Sequence, residues 1–304
     1  MSPTSRNPQA VRTSVSDRLN KYAEKNGQNP NLVRRRFVIA RFLARVFDID
    51  PDGWILKGGI GMMVRLPQAR YSKDIDLLVA TDAQNPIDEL RRTVRDHHLD
   101  HFRFQVGPPT ALSNRKGSTV KVTASIGGKE FDTFTLDIVD ARRELVGPVE
   151  RHPLPRLVDT DDFPLETSVQ LYPLADQIAD KLCAMYETFG LAGTVSGRYR
   201  DLVDLLLISM FLPIDLASTV EAVERERALR GIPALPITLE SPGPGWTTQW
   251  GPTARNSPLT TDYHDLNAAL VAAGRCYNRI LSSLPGAQED AVWRHEHGVW
   301  GRHR

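Results

Sequence analysis

Residues 54–79 read WILKGGIGMMVRLPQARYSKDIDLLV. Trp54-Ile55-Leu56 predicts a short strand, and Lys57-Gly58-Gly59 a tight turn into a short helix. Ile75–Val79 predicts a buried strand, approached through Ser72-Lys73-Asp74. Residues two apart on a strand share a face, about 6–7 Å apart at Cα. Asp74 and Asp76 therefore stand together while Ile75 points into the core. Two such carboxylates repel each other without a cation. A pair of Mg²⁺ ions roughly 3.5–4 Å apart turns that repulsion into binding and clamps both oxygens of a phosphoryl displacement. Asp-x-Asp alone is a weak signal, because a solvated strand edge has the same letters. The glycine turn strengthens it. Backbone N–H groups there can approach a polyphosphate, the helix N-terminus favours an anion, and Lys57 adds a positive charge.

Outward from this stretch, two helices open the chain, the first from Ser16 to Gly27 and the second after Asn29-Pro30. The second carries Val33, Phe37, Ala40, Ala44 and Phe47 at helical spacing. Arg34–Arg36 near its start read as a solvated face or a phosphate contact. Downstream, Pro86–His97 predicts a helix and Phe102–Val106 a strand. Ser118–Ile126 and Phe131–Val139 flank the hairpin signal Gly127-Gly128. Residues 147–164 look like a connector. Beyond it helices dominate, at 174–189, 199–211, 218–230 and 262–283, interrupted by a Pro/Gly-rich loop at 231–258. The expected domains are N-terminal helices at 1–50 packing on the core, an α/β domain at 51–146 and a helical domain at 147–304.

Composition sets the limits. With 304 residues, 41% apolar and 25% charged, the chain is expected to be a soluble globular protein of about two domains. Cys183 and Cys276 lie outside any metal-ligand spacing, which fits a reducing cytoplasm and disfavours zinc or a disulfide framework. The polar first dozen residues contain no secretory signal and are expected to be disordered. Leu205–Ile214 is too short to cross a membrane. A net charge of +1 says nothing global about nucleic acid, so any such surface must be local, at Arg34–Arg36, at Arg91, Arg92 and Arg95, or at Arg142 and Arg143. The C-terminal run from Trp293 to Arg304, with His295 and His297, reads as a frayed tail or as an RNA-stacking or metal-holding segment.

Four blocks in order, FLARVF with WILKGGIGMMVRL, RYSKDIDLLV, LYPLADQIADKLCAMYE and GRYRDLVDLLLI, resemble the AbiEii/MenT family of nucleotidyltransferase toxins from bacterial toxin–antitoxin systems, within the polymerase-β-like superfamily. The resemblance covers about two-thirds of the chain and adds little after Gly231. It implies an α/β, two-lobed fold: a polymerase-β-like nucleotidyltransferase lobe with a mixed sheet, and a mainly helical C-terminal lobe. The nucleotide would lie between them. Gly58 and Gly59, with Lys57, would hold the phosphates. Ser72, Asp74 and Asp76 would form the metal centre, Ser72 also lying near the transferred phosphate, the cation being Mg²⁺ with Mn²⁺ as the alternative. Lys181 would face the triphosphate, and Asp201 would be the acidic residue of the last motif, accompanied by Arg198, Arg200 and Asp204.

The residues themselves leave alternatives open. Lys181 falls about 20° from Leu174 at the edge of the apolar arc of its helix, so it snorkels or reaches into a cleft. Asp201 and Asp204 share a face near a helix start, where partnership with the helix dipole is the plain alternative. Enzymes of this fold often carry a third carboxylate. Asp137 is the candidate, with Asp132 and Asp140 as competitors. Lys121 and Arg115 read as an exposed edge or as nucleotide or acceptor contacts. By resemblance the substrates are an NTP, a pyrimidine triphosphate being one candidate, and the 3′ end of tRNA, transfer to which blocks translation; the expected protein partner is a cognate antitoxin. The rival readings are nucleotidylation of a small molecule such as an aminoglycoside or of a protein, and a catalytically silent binding protein.

Overall fold

The computed structural model describes residues 7–81, 85–96, 99–112, 117–139, 144–158, 162–163, 167–190, 193–285 and 290–302. The chain divides into two compact units: residues 1–65, 72–143 and 150–171 form one, and residues 66–71, 144–149 and 172–304 the other. Each unit thus draws on three separate segments of the chain.

The first unit begins with α1 (Pro8–Lys25) and α2 (Pro30–Ile49). Helix α1 starts earlier than expected, and residues 8–13 are ordered rather than disordered. The Asn7 side chain accepts from the Gln9 N–H, proline fills the first turn, and Val11, Val15, Leu19 and Ala23 form a buried i,i+4 stripe. Gln9 and Arg12 also donate to the carbonyls of Gly127, Lys129 and Glu130, which pins the helix to a hairpin turn.

The sheet of this unit is mixed. Its strands are β1 (Trp54–Lys57), β2 (Ile75–Val79), β3 (Phe102–Val106), β4 (Thr110–Ala111), β5 (Gly117–Ile126), β6 (Lys129–Val139), β7 (Glu150–Pro153) and β8 (Ser168–Leu171). They lie in the order β3-β5-β6-β2-β1-β8-β7, with β4 on β5. β2 runs parallel to β6, and β1 parallel to β8. Strand β7 falls inside the stretch read as a connector. It forms the edge of the sheet, where the missing N–H of Pro153 costs no ladder bond. Helices α3 (Gly58–Arg65) and α4 (Pro86–Asp96) complete the unit.

Alternation decides which sheet face is dry. Val120, Val122, Phe134, Leu136, Ile138, Ile75 and Leu77 are buried. Helix α2 packs there, Phe42 meeting the edges of Phe104 and Phe134 at 5.4 and 5.3 Å between centroids. Arg45, with no exposed surface, and Arg41 share the buried Asp100. Sequence periodicity did not single out this ion triad.

The second unit is mainly helical: α5 (Leu174–Tyr186), α6 (Tyr199–Phe211), α7 (Leu216–Leu229), α8 (Gly245–Arg255) and α9 (Leu266–Ser282). Helix α5 ends three residues before its expected limit, because Thr188–Phe189 (β9) pairs with Thr194–Val195 (β10). Helix α8 lies in the stretch expected to be a long loop. Its Pro and Gly content hid two buried indoles, Trp246 and Trp250, which donate to the carbonyls of Ser196 and Tyr263. Residues 291–302 are not a frayed tail. Ile214–Asp215 (β11), Ala291–Arg294 (β12) and Val299–Arg302 (β13) form a three-stranded sheet. There Trp293 and Trp300 donate to the carbonyls of Ser209 and Cys276, so both indoles are engaged internally. Among the described residues, no helix is long and apolar enough to cross a membrane.

Candidate active site

The sheet brings four side chains into one row. In the antiparallel β1–β2 ladder Lys57 opposes Asp76, and in the parallel β2–β6 ladder Asp76 opposes Asp137. In the antiparallel β5–β6 ladder Asp137 opposes Thr119. Register partners project to the same face, so Lys57, Asp76, Asp137 and Thr119 line up across adjacent strands about 4.8 Å apart. This is the face opposite the apolar one. Asp137 accepts a 2.6 Å hydrogen bond from the Thr119 hydroxyl. Lys57 is 5% exposed, whereas Asp76 and Asp137 are half-buried. Asp74 sits in a bend one residue before β2 and is exposed.

The glycine turn meets this row directly. Gly58 has φ +67°, a left-handed conformation that a side chain disfavours, and a Cβ there would collide with the Asp76 carboxylate. The chain therefore turns into α3 in contact with Asp76 only because residue 58 is glycine. Ser72 is half-buried, and its backbone N–H points to Met63 Sδ at 3.3 Å. Gly58→Ala is expected to cost about 1–3 kcal/mol from the φ strain. It should also lower any activity centred on Asp76 on the order of a hundredfold by displacing that carboxylate. Parallel melting and turnover measurements check both, and an unaltered turnover would separate Gly58 from the chemistry.

The donor set suits a hard divalent cation: two carboxylates are register neighbours, a third is exposed at the mouth of the strand, and all are oxygen ligands. Among the described residues no three His, Cys, Asp or Glu side chains are already drawn into one cage. Asp132, a competitor of Asp137, lies elsewhere. It accepts a bidentate pair from Arg35 on α2, at 2.6 and 2.7 Å, because it faces the helix-covered side. Asp132→Asn should therefore cost only about 1 kcal/mol and leave turnover unchanged. A collapse of turnover would transfer the third-carboxylate role to Asp132. The other competitor, Asp140, lies outside the described residues, as do Arg115, Arg142, Arg143, His303 and Arg304.

The remaining sequence candidates lie in the second unit. Lys181 on α5 is 5% exposed. It donates to Asp201 at 3.0 Å and to Asp204 at 2.5 Å, both on α6. Arg70 reaches Asp204 at 2.9 Å, closing a buried group of two cations and two anions. Burial alone would lower the Lys181 pKa, but the Asp201 and Asp204 charges outweigh it and Arg70's opposing charge, and the net displacement is upward. Lys181 is a fully charged ammonium at neutral pH. Arg198 and Arg200, at the start of α6, are exposed. Arg70 and Thr119 were not singled out from the sequence. Arg70 stands in an unpatterned polar linker, and Thr119 is one threonine among several on its strand.

The arginine clusters are partly used up internally. Arg35 is paired with Asp132, Arg34 lies over the Phe131 ring, and Arg91 donates to the Gly107 carbonyl at 2.6 Å.

A family model described as "Nucleotidyl transferase AbiEii toxin, Type IV TA system" matches residues 41–294. Among solved structures, MenT4, a nucleotidyltransferase toxin from Mycobacterium tuberculosis H37Rv, superposes with a TM-score of 0.50 at 19% identity, over 70% of this chain and 68% of its own. JHP933 from Helicobacter pylori gives a TM-score of 0.40 at 12% identity, over 66% of this chain and 81% of its own. The MenT4 likeness shows a shared fold. No curated protein matches the sequence.

Proposed function

The chain belongs to the AbiEii nucleotidyltransferase toxin family of type IV toxin–antitoxin systems, and from that premise we propose that it transfers nucleotides from an NTP to the 3′ end of tRNA and so blocks translation. The observation that carries the chemistry is the row Lys57–Asp76–Asp137 beside a glycine turn shaped around the Asp76 carboxylate.

The reaction is an in-line attack of an acceptor hydroxyl on the α-phosphorus, forming a P–O bond and releasing pyrophosphate. Asp74 and Asp76, with Asp137, would hold Mg²⁺, or Mn²⁺ in its place. The bound cation would neutralise charge on the transferring phosphoryl group. The hydrogen bond from Thr119 fixes the orientation of Asp137. Lys57 places a buried positive charge beside Asp76, which lowers the repulsion between the carboxylates. Gly58 and Gly59 present backbone N–H groups to the phosphates, with Ser72 close in sequence to the carboxylates. Lys181 and Asp201 complete the proposed set, Lys181 binding the triphosphate while its own charge is held by Asp201 and Asp204. The setting is the cytoplasm, and the protein partner is a cognate antitoxin.

The deciding experiment incubates purified protein with Mg²⁺, each labelled NTP in turn and total tRNA. Label on tRNA 3′ ends supports the reading, and label on a small molecule or a polypeptide would redirect it. No transfer to any acceptor, with wild type and Asp74→Ala behaving alike in cells, would sink the enzymatic reading.

A further inference from the structure

The polar face of the sheet extends well beyond the carboxylates. From the Asp137–Thr119 pair toward the Gly127-Gly128 turn, the next register pairs are Lys121 with Thr135 and Thr123 with Thr133. Arg103 follows on the neighbouring strand β3, opposite Ser125. Alternation puts all of these on the Asp137 side, while their sequence neighbours Val120, Val122, Phe134 and Leu136 are buried on the opposite, apolar face. Lys121 and Arg103 are exposed, and neither side chain makes an ion pair or hydrogen bond with another described residue. Glu130, at the far end, is occupied by the Thr133 hydroxyl at 3.0 Å.

We infer that this strip is the track for the acceptor strand, a single-stranded RNA end whose phosphates run along the threonine rows toward Lys121 and Arg103. The inference rests on Asp76 and Asp137 being the reaction centre. Lys121 stands one row along and one strand over from Asp137, about 8 Å away at Cα, the reach to a neighbouring nucleotide. The Thr123–Thr133 row lies about 13 Å along the strands. A small acceptor would need nothing so far from the carboxylates. A docked protein would need buried apolar anchors, and the strip has none. Hydroxyl donors with isolated cations suit phosphate and sugar, and without exposed aromatic rings on the strip the contact is insensitive to base sequence.

The test is direct binding, independent of turnover. A short labelled single-stranded RNA is titrated against wild type, the Lys121→Glu/Arg103→Glu double variant, and a Lys21→Glu/Lys25→Glu control. The control makes the same charge change on exposed α1 positions. The track predicts about tenfold or greater weakening in the first variant only, and a log–log salt slope shallower by about 1.4, from two lost phosphate contacts at about 0.7 each. In the transfer assay the acceptor KM rises about tenfold while kcat and the NTP KM hold. Equal loss in the control, unchanged binding in the double variant, or no RNA binding by wild type would overturn the track. So would transfer to a polypeptide that depends on the same two residues. Transfer to RNA with an unchanged acceptor KM defeats the track alone. Charge-dependent binding without transfer to any acceptor defeats the enzymatic reading and the acceptor role with it, and leaves only an RNA-binding strip.

Discussion

Asp76→Asn is expected to slow nucleotide transfer by on the order of a thousandfold with the fold intact. The amide keeps the size of the side chain but is a poor ligand for a hard cation. Metal-mediated stabilisation of a phosphoryl transition state is worth several kcal/mol, at about 1.4 kcal/mol per tenfold. Stability should change little, because Asp137 keeps a negative charge in the row that also holds Lys57. A second readout separates ligation from turnover. If the row binds Mg²⁺, saturation at about 100 times Kd should raise the stability of wild type by about 2.7 kcal/mol. Asp76→Asn should lose most of that shift. A variant that keeps both the thermal shift and the rate would remove Asp76 from the metal centre.

Lys181→Met tests the second unit, and its expected effect is on stability. Lys181, Asp201 and Asp204 are at most 7% exposed. Removing the ammonium leaves Asp201 buried without a described cation, while Arg70 still serves Asp204. Breaking a buried pair from one side costs about 3–5 kcal/mol, which is on the order of 10 °C in melting temperature for a chain of this size. Lys181→Met/Asp201→Leu should recover part of the loss, since replacing a whole buried pair is far milder than orphaning one member. The pH dependence has a definite sign. The folded pKa of Lys181 lies above its ordinary 10.5. The folded state therefore holds this proton more tightly than the unfolded one, and the stabilisation is complete below about pH 10.5 and fades as pH climbs through the folded value. The gap between wild type and Lys181→Met should be flat near neutrality and narrow only in strong alkali. An unchanged melting temperature with a lost kcat would assign Lys181 to the triphosphate alone.

Much of the first unit was legible in the sequence because its signals are local. The strand at 75–79, the strand at 102–106 and the hairpin around Gly127-Gly128 follow from alternation and a two-residue turn. Pairing across the hairpin was less legible. A two-residue turn alone places Thr119 opposite Leu136, on the wrong face for Asp137. A bulge at Phe131 shifts the register by one between Ala124 and Ser125, so Thr119 meets Asp137 instead. Nothing in the letters announces that extra residue. The errors at residues 8–13, 245–255 and 291–302 have a related cause. Their Pro, Gly and charge content reads as irregular, while the buried stripe of α1 and the tryptophans Trp246, Trp250 and Trp293 hold them in place through partners distant in sequence.

The sequence by itself determined the α/β class, the glycine turn, the strand that carries Asp76, and the helical character of the second half, whereas Asp74, expected on that strand beside Asp76, lies in the bend before it. Each depends on spacing within a few residues, which local backbone geometry converts into structure. Only the tertiary structure decided that Asp76 stands between Lys57 and Asp137, that Asp132 belongs to Arg35, and that Lys181 is neutralised by Asp201 and Asp204. Those are long-range matters of strand order, register and helix packing. The physical reason is that a charged side chain becomes a site or a structural pair according to which partner shares its desolvated space, and that partner is chosen by the fold rather than by its neighbours in the chain.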